Sequence, residues 1–342
     1  MLKSRLCIAF FAFAVGCAPA QKPLTDYVNP MLGTATLWDS VDLGFKPTKR
    51  TWGAEVFPGS SLPNAMVQVS PVTKFHSGAG YQYEDSVIYG FTHTNKGHWN
   101  LCHIPLLPVT GTPTPGDYCS PFSHERESAA PGYYQVFLDR YGVDAQLSST
   151  LRCAFHKYTY PAGAAASLLA DLQRSNEHVR AWDIRKEGDN VFAGWQQTGE
   201  KMYFYAVANR PVTGIEPVVE GDREVRIVRF GEGDGALELR IGFSFVSEKN
   251  ARENLEAEML GKSFAEVRSE ATATWNDLLG RIRVEGGTER EKGLFYSSLY
   301  RSFLWPALRS DVNGEFTDVD GKVINPGFRY YTGPSYWDDY RN

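Results

Sequence analysis

Several things are scarce in this 342-residue chain, and each scarcity removes a class of function. Cysteine occurs five times and never as C-x-x-C, which argues against a structural zinc site. No Walker motif is present, and Gly78-Ala-Gly80 lacks the third glycine of a dinucleotide-binding turn. In SHERES (123–128), Ser128 stands where an H-E-x-x-H metalloprotease needs its second histidine. Gly59-Ser-Ser-Leu-Pro63 ends on proline where the G-x-S-x-G nucleophile elbow ends on glycine. DVNGEFTDVDG (311–321) has acids and glycines but not the EF-hand spacing. Basic charge is short as well: 35 Lys and Arg against 40 Asp and Glu leave −5, so no nucleic-acid footprint is expected.

What is present begins with MLKSRLCIAFFAFAVGCAPAQ. Lys3 and Arg5, the apolar run Leu6 to Val15 and Ala18-Pro-Ala20 form the three regions of an export signal over residues 1–21. Its removal takes two positive charges and no negative ones, so −5 becomes −7. The expected location is the periplasm or the outer membrane and cell surface. Processing at Cys17 as a lipoprotein is the alternative, and would supply the only membrane attachment. Cleavage after Ala20 leaves Cys102, Cys119 and Cys153, an odd number in a compartment that permits a disulfide. Aromatics are abundant at 13%, enough for large cores or for platforms under sugar rings.

From Thr25 to Val246 the texture is strand-like. AMVQVSP, YYQVFLDRYGVDAQL, VFAGWQQ, MYFYAVA, REVRIVRF and LELRIGFSFV alternate apolar and polar residues between turn formers. Many short strands without intervening helices predict an antiparallel β-sandwich over residues 22–249. The next stretch, 250–288, is rich in Ala, Glu, Leu and Arg and reads as a helical linker split by Gly261. Ser263-Phe-Ala-Glu266 and Thr288-Glu-Arg-Glu291 are capping-box patterns. The second opens a helix in which Phe295, Leu299 and Phe303 recur every four residues before Pro306. Asn313-Gly314 and Asp320-Gly321 signal hairpin turns.

Two clusters carry chemistry. GFTHTNKGHWNLCHIPLLP offers His93, His98, Cys102 and His103, which can serve as metal ligands, as a ligand-binding loop, or as plain structural hydrogen bonders. The terminal Trp337-Asp338-Asp339-Tyr340-Arg341 sets two carboxylates and a guanidinium beside aromatic faces. That combination suits sugar hydroxyls and a ring face, and equally a surface ion-pair cluster.

DYVNPMLGT (26–34), FPGSSLPNAMVQVSP (57–71), SGAGYQYEDSVIYGFTHT (77–94), IPLLPVTG (104–111), YCSPFSHERESAAPGYYQVFL (118–138), FYSSLYRSFLWP (295–306), SDVNGEF (310–316) and YYTGPSYWDDYR (330–341) occur in one order. Together they resemble glycoside hydrolase family 92, the calcium-dependent bacterial exo-α-mannosidases. The resemblance implies a mainly β fold: an N-terminal antiparallel β-sandwich, a helical linker, and at 289–342 the first elements of a truncated (α/α)6 barrel. It implies an exported, inverting mannosidase acting on mannose-containing glycans, with the catalytic acid, base and most calcium ligands expected beyond residue 342. On that expectation the isolated chain shapes the substrate site and is inactive. The alternative is a non-catalytic carbohydrate-binding module.

Residue by residue, the resemblance implies that Asp338 and Arg341 bind hydroxyls of the terminal mannose, with Trp337 in support. Phe75 and His76 match a loop that shapes the site of the neighbouring sugar. His98, Trp99 and Asn100 stand where many members carry a G-C-x-D-x-G-D-type stretch, so carboxylates of the family are neutral here and the linkage preference is left open.

Overall fold

The computed structural model describes residues 22–36, 44, 54–95 and 101–333. Two antiparallel sheets face each other. One has seven strands in the spatial order Ser60–Ser61, Gln68–Val72, Gly90–Thr92, Leu106–Val109, Ser167–Ala170, Arg223–Phe230 and Val212–Glu220. The other has eight, ordered Ala181–Gly188, Val191–Gln197, Lys201–Ala208, Leu237–Ser244, Cys153–Thr159, Val143–Ser149, Tyr133–Leu138 and Glu127–Ala130.

Alternation sets which face is buried. In Lys201–Ala208 the side chains of Met202, Phe204, Ala206 and Ala208 are buried between the sheets, while Tyr203, Tyr205 and Val207 are half-buried on the other face. Val69, Phe91, Leu107, Leu169 and Ile227 from the first sheet meet Val136, Leu147, Phe204, Leu239 and Ile241 from the second in one core. This is the expected sandwich.

Three helices follow: α1 (Glu248–Glu258), α2 (Phe264–Leu279) and α3 (Glu289–Ser302). Gly261, at φ +90°, turns the chain between the first two. Both capping boxes form, at Ser263 with Glu266 and at Thr288 with Glu291. The segment is no free spacer, because α1 and α2 lie on the outer face of the eight-stranded sheet. Leu255, Met259, Phe264 and Val267 there cover Tyr133, Cys153 and Phe155.

Gly242 permits that approach. A Cβ at this strand position would lie 2.1 Å from the Ala251 carbonyl oxygen and 2.7 Å from Leu255 Cβ. Gly242→Ala should therefore push α1 off the sheet and cost about 1–3 kcal/mol, the usual range for overpacking. Urea denaturation should show an earlier midpoint; an unchanged midpoint would mean that α1 yields freely.

In α3 the apolar stripe differs from the expected one. Tyr296 and Tyr300 are its buried aromatics, continued by Leu304, whereas Phe295 is 37% exposed. The reason is Trp275 of α2, whose ring sits 4.4 Å from that of Tyr300 and which takes the neighbouring row as its partner. Leu299 and Phe303 are only partly buried at the margin of this cluster.

The FPGSSLPNAM stretch couples sandwich to helices. Phe57 packs with Trp275, whose Nε1–H donates to the Ser61 carbonyl at 2.8 Å. Asn64, at φ +51°, donates from its backbone N–H to Phe303 O (2.7 Å) and from Nδ2 to Pro306 O (2.8 Å), and accepts from Leu308 N–H (2.9 Å). Asparagine tolerates this left-handed conformation better than other non-glycine residues. Asp320-Gly321 does turn a hairpin, between Phe316–Thr317 and Val323–Ile324. Asn313-Gly314 instead closes a loop in which Gly314 N–H reaches Asp311 O.

Candidate functional site

Loops from both sheets gather at one end of the sandwich and are cross-linked by polar groups. The turn 73–80 after Gln68–Val72 is tight: Thr73 and Lys74 N–H both reach the Gly80 carbonyl, and Ser77 Oγ donates to Lys74 O. At its tip His76 adopts φ +62°, a conformation that is costly for a histidine and is held from outside. Asn176 does the holding. Its Oδ1 accepts from His76 N–H (2.8 Å), its Nδ2 donates to Ser77 O (3.1 Å), and its carbonyl lies 3.2 Å from His76 Nδ1. A carbonyl only accepts, so Nδ1 carries the hydrogen and the neutral ring presents Nε2 as an acceptor. Asn176 N–H and Ser175 Oγ both bind the Leu101 carbonyl, tying a third loop to the same point.

Beside His76, Phe75 meets Tyr89 edge-on at 6.1 Å. The Arg174 guanidinium lies 5.0 Å and 5.1 Å from the two ring centres. Arg174 also donates to Tyr118 Oη (3.2 Å), and Tyr118 donates to Asp171 Oδ2 (2.6 Å), which Arg223 reaches at 2.8 Å. Burial pushes the Asp171 carboxyl above its ordinary value, and Tyr118, Arg223 and Arg174 oppose that shift only in part. The result is a rigid charged wall behind an aromatic corner. Thr73, Lys74, Phe75, His76, Asp85 and Tyr89 line a cleft of about 450 Å³ against it.

Phe75 and His76 both line this cleft. His98, Trp99 and Asn100 lie outside the described residues, as do Trp337, Asp338 and Arg341. Their described neighbours show where each segment starts. Leu101 is bound at the cleft by Ser175 and Asn176, and Tyr331–Thr332 pairs with Ala307–Leu308. Next to that pair, buried Arg309 bonds Glu200, and Gly199 N–H donates to Glu177, two residues after Ser175 of the cleft. Burial lowers the Arg309 pKa, with Glu200 opposing.

The described histidines of the histidine-rich stretch are engaged with a histidine from another strand and with hydroxyl groups. His93 and His156 are buried with their Nε2 atoms 3.0 Å apart, and His103 sits between Thr94 (3.1 Å) and Thr198 (3.0 Å). Among the described residues no three His, Cys, Asp or Glu side chains are placed to hold a metal ion. Asp311, the buried acid of SDVNGEF, is engaged by Ser244 Oγ, Asn250 Nδ2 and Asn254 Nδ2 at 2.7, 2.9 and 2.6 Å. No disulfide joins Cys102, Cys119 and Cys153 to one another. Sequence reasoning passed over Asp171, Arg174 and Asn176. Their one signal was the density of charged and amide groups in ADLQRSNEHVRAWD (170–183), between two strands.

Comparison with known proteins agrees with this architecture. The glycosyl hydrolase family 92 N-terminal domain matches residues 27–254, and the family's catalytic domain matches 250–342. A family GH92 α-mannosidase from Bacteroides thetaiotaomicron, also solved in complex with mannoimidazole, is 26% identical with a TM-score of 0.81, covering 91% of this chain and 45% of its own. The GH92 family glycosyl hydrolase ccman5 is 26% identical with a TM-score of 0.79, covering 93% and 46%. An uncharacterized secreted glycosidase from Arthroderma benhamiae is 24% identical over 84% of this chain and 42% of its own. This chain therefore spans less than half the length of each of these relatives. With the N-terminal domain matched over most of its residues, the chain belongs to glycosyl hydrolase family 92.

Proposed function

We propose that this chain is the substrate-shaping part of an exported, inverting exo-α-mannosidase that acts on α-mannosides of glycans. The observation that carries the reading is the likeness in fold and sequence, across 91% of the chain, to an α-mannosidase that has been solved with mannoimidazole. Asp338 and Arg341 bind hydroxyls of the terminal mannose, supported by Trp337. Phe75 and His76 form the wall for the next sugar, where the His76 Nε2 acceptor and the Phe75 ring meet a hydroxyl and a ring face. His98, Trp99 and Asn100 contribute to substrate binding, and their neutral side chains leave the linkage preference open.

The chemistry comes from an acid that protonates the leaving oxygen and a base that activates water on the opposite face, about 6.5–9.5 Å away. Both belong to the part of the family fold that this chain does not span. Calcium would help to hold and distort the mannose. Among the described residues no three His, Cys, Asp or Glu side chains are placed to hold it, and its ligands are expected mostly beyond residue 342. Export follows from residues 1–21, with attachment through Cys17 as the alternative to a free periplasmic protein; among the described residues no helix is long and apolar enough to cross a membrane.

The test is hydrolysis of an aryl α-mannoside by the purified chain, alone and mixed with the complementary helical portion of a family 92 enzyme. No turnover is expected alone, and β-mannose should be the first product from the mixture by NMR. Turnover by the chain alone would place the acid and base within it, among Asp311, Glu315, Asp338 and Asp339. Glycan binding with no turnover in either sample would make it a carbohydrate-binding module.

A further inference from the structure

His76, Arg174 and Ser175 also line a second cleft, of about 750 Å³, which continues away from Phe75 along the edge of the sandwich. That volume lies within the range of small-ligand sites, about 300–1,000 Å³. Its outer part is built by Gln173, His178, Arg180, Trp182, Asp222 and Arg223.

Two kinds of side chain meet there. Arg223 is held by Asp171 and by the Pro115 carbonyl, and Gln173 Oε1 accepts from Glu224 N–H, so these form a fixed wall. Trp182 is half-buried, anchored in Ala181–Gly188 opposite Gln196, with the Arg226 guanidinium 5.3 Å from its ring. Among the described residues the Arg180, His178 and Asp222 side chains, by contrast, make no hydrogen bond or ion pair, whereas Arg174, Arg223 and Arg226 are paired. A concave site with an indole in its lining and unengaged cationic and anionic groups at its rim meets the requirements of a sugar ring. The ring needs an apolar face and both donors and acceptors for vicinal hydroxyls. Asp222 and Glu177 on the same cleft disfavour a phosphate or uronate.

We propose that this second cleft is a further subsite that takes a neutral arm of the glycan, beyond the sugar held at Phe75 and His76. The proposal rests on the mannoside reading above and adds a specificity element that lies wholly on the sandwich. It makes the chain selective for branched or extended glycans, because a single mannoside reaches only the terminal-mannose position at Asp338 and Arg341.

Titration of the full chain by calorimetry with a branched α-mannopentaose, methyl α-mannoside and cellopentaose tests it. Trp182→Ala and Arg180→Ala should each weaken pentaose binding at least tenfold and leave methyl α-mannoside unaffected. Arg180 is exposed and its side chain holds nothing, so its loss acts on binding and not on folding. Pentaose binding unchanged in both variants overturns the subsite while the mannoside reading stands. Cellopentaose bound as tightly as the pentaose, and dependent on Trp182, keeps a sugar site and overturns the mannoside reading. If no sugar binds, the subsite is overturned, and hydrolysis by the mixed enzyme judges the reading separately.

Discussion

Between pH 7.5 and 5 the folded chain should lose about 2 kcal/mol of stability through His93 alone, with His156 adding to the loss. Both rings are buried, and burial lowers the pKa of His93 to about 3 and that of His156 well below its ordinary value; the neighbouring His93 adds to the latter shift. An unfolded histidine titrates near 6.5, so between 6.5 and 3 the unfolded chain binds protons that the folded chain refuses. Stability is therefore complete above pH 6.5 and falls as pH drops through that window, by about 1.4 kcal/mol per unit for His93, with His156 acting in the same direction.

The hydrogen bonds explain why neither ring takes a second proton. Their Nε2 atoms share one hydrogen at 3.0 Å and His156 Nδ1 meets Tyr158 Oη at 2.6 Å, while burial of His93 outweighs the backbone groups of His103 and Ile104, which favour its charged form. A second proton would leave two cationic rings in contact with no anion beside either. Asp171 and Asp311, raised by burial, work the other way from pH 3.8 up to their folded values, since the folded chain there binds the extra proton. Urea denaturation across this range, repeated on His93→Gln, separates the contributions: the variant's stability should depend less steeply on pH. Equal slopes would show that the pair does not control the acid response.

Much of this architecture could be read from the sequence because its signals are local. Alternation in MYFYAVA and LELRIGFSFV specifies which side chains face the core, and the two capping boxes locate helix starts to the residue. The buried stripe of α3 was not local. Phe295, Leu299 and Phe303 and the row Tyr296, Tyr300 and Leu304 are both spaced by four, and only the position of Trp275 decides between them. His93 shows the same limit, since its partner His156 is 63 residues away and the sequence left open whether it hydrogen-bonds, lines a loop or ligates a metal. Phe75 and His76 stand in a loop between two of the matching stretches, 57–71 and 77–94, whereas Asn176, which holds His76 in its strained turn, comes from a polar loop with no periodicity to mark it.

Arg152→Met should be the most damaging single change on the sandwich, at about 3–5 kcal/mol, the usual result of removing one partner of a buried ion pair. Arg152 is 6% exposed and joins three parts of the chain. Its Nη1 pairs with Glu258 of α1 at 2.5 Å, and its Nε donates to the Ser310 carbonyl at 2.8 Å. Thr150 Oγ1 and the Arg152 N–H hold the second oxygen of Glu258 at 2.6 and 2.9 Å. Without the guanidinium the Glu258 carboxylate keeps only these neutral donors, and Ser310 O loses its bond in a buried place. Desolvating two charges is itself expensive, so most of this loss is the cost of a stranded carboxylate, not the net worth of the pair. Arg152→Met with Glu258→Leu should accordingly recover much of what Arg152→Met loses. A double variant no more stable than the single one would mean that the bond to Ser310 carries the effect. The consequence for function runs through the chain after Ser310. It carries Asp311, which Ser244, Asn250 and Asn254 hold to the sheet and α1, and continues to Tyr331–Thr332, directly ahead of the segment bearing Asp338 and Arg341. In Arg152→Met, limited proteolysis should cut between 310 and 333 before the strands of the sandwich become accessible, and glycan binding should weaken with it. Simultaneous loss of both regions would instead make Arg152 a support of the whole fold rather than of the segment that leads to Asp338 and Arg341.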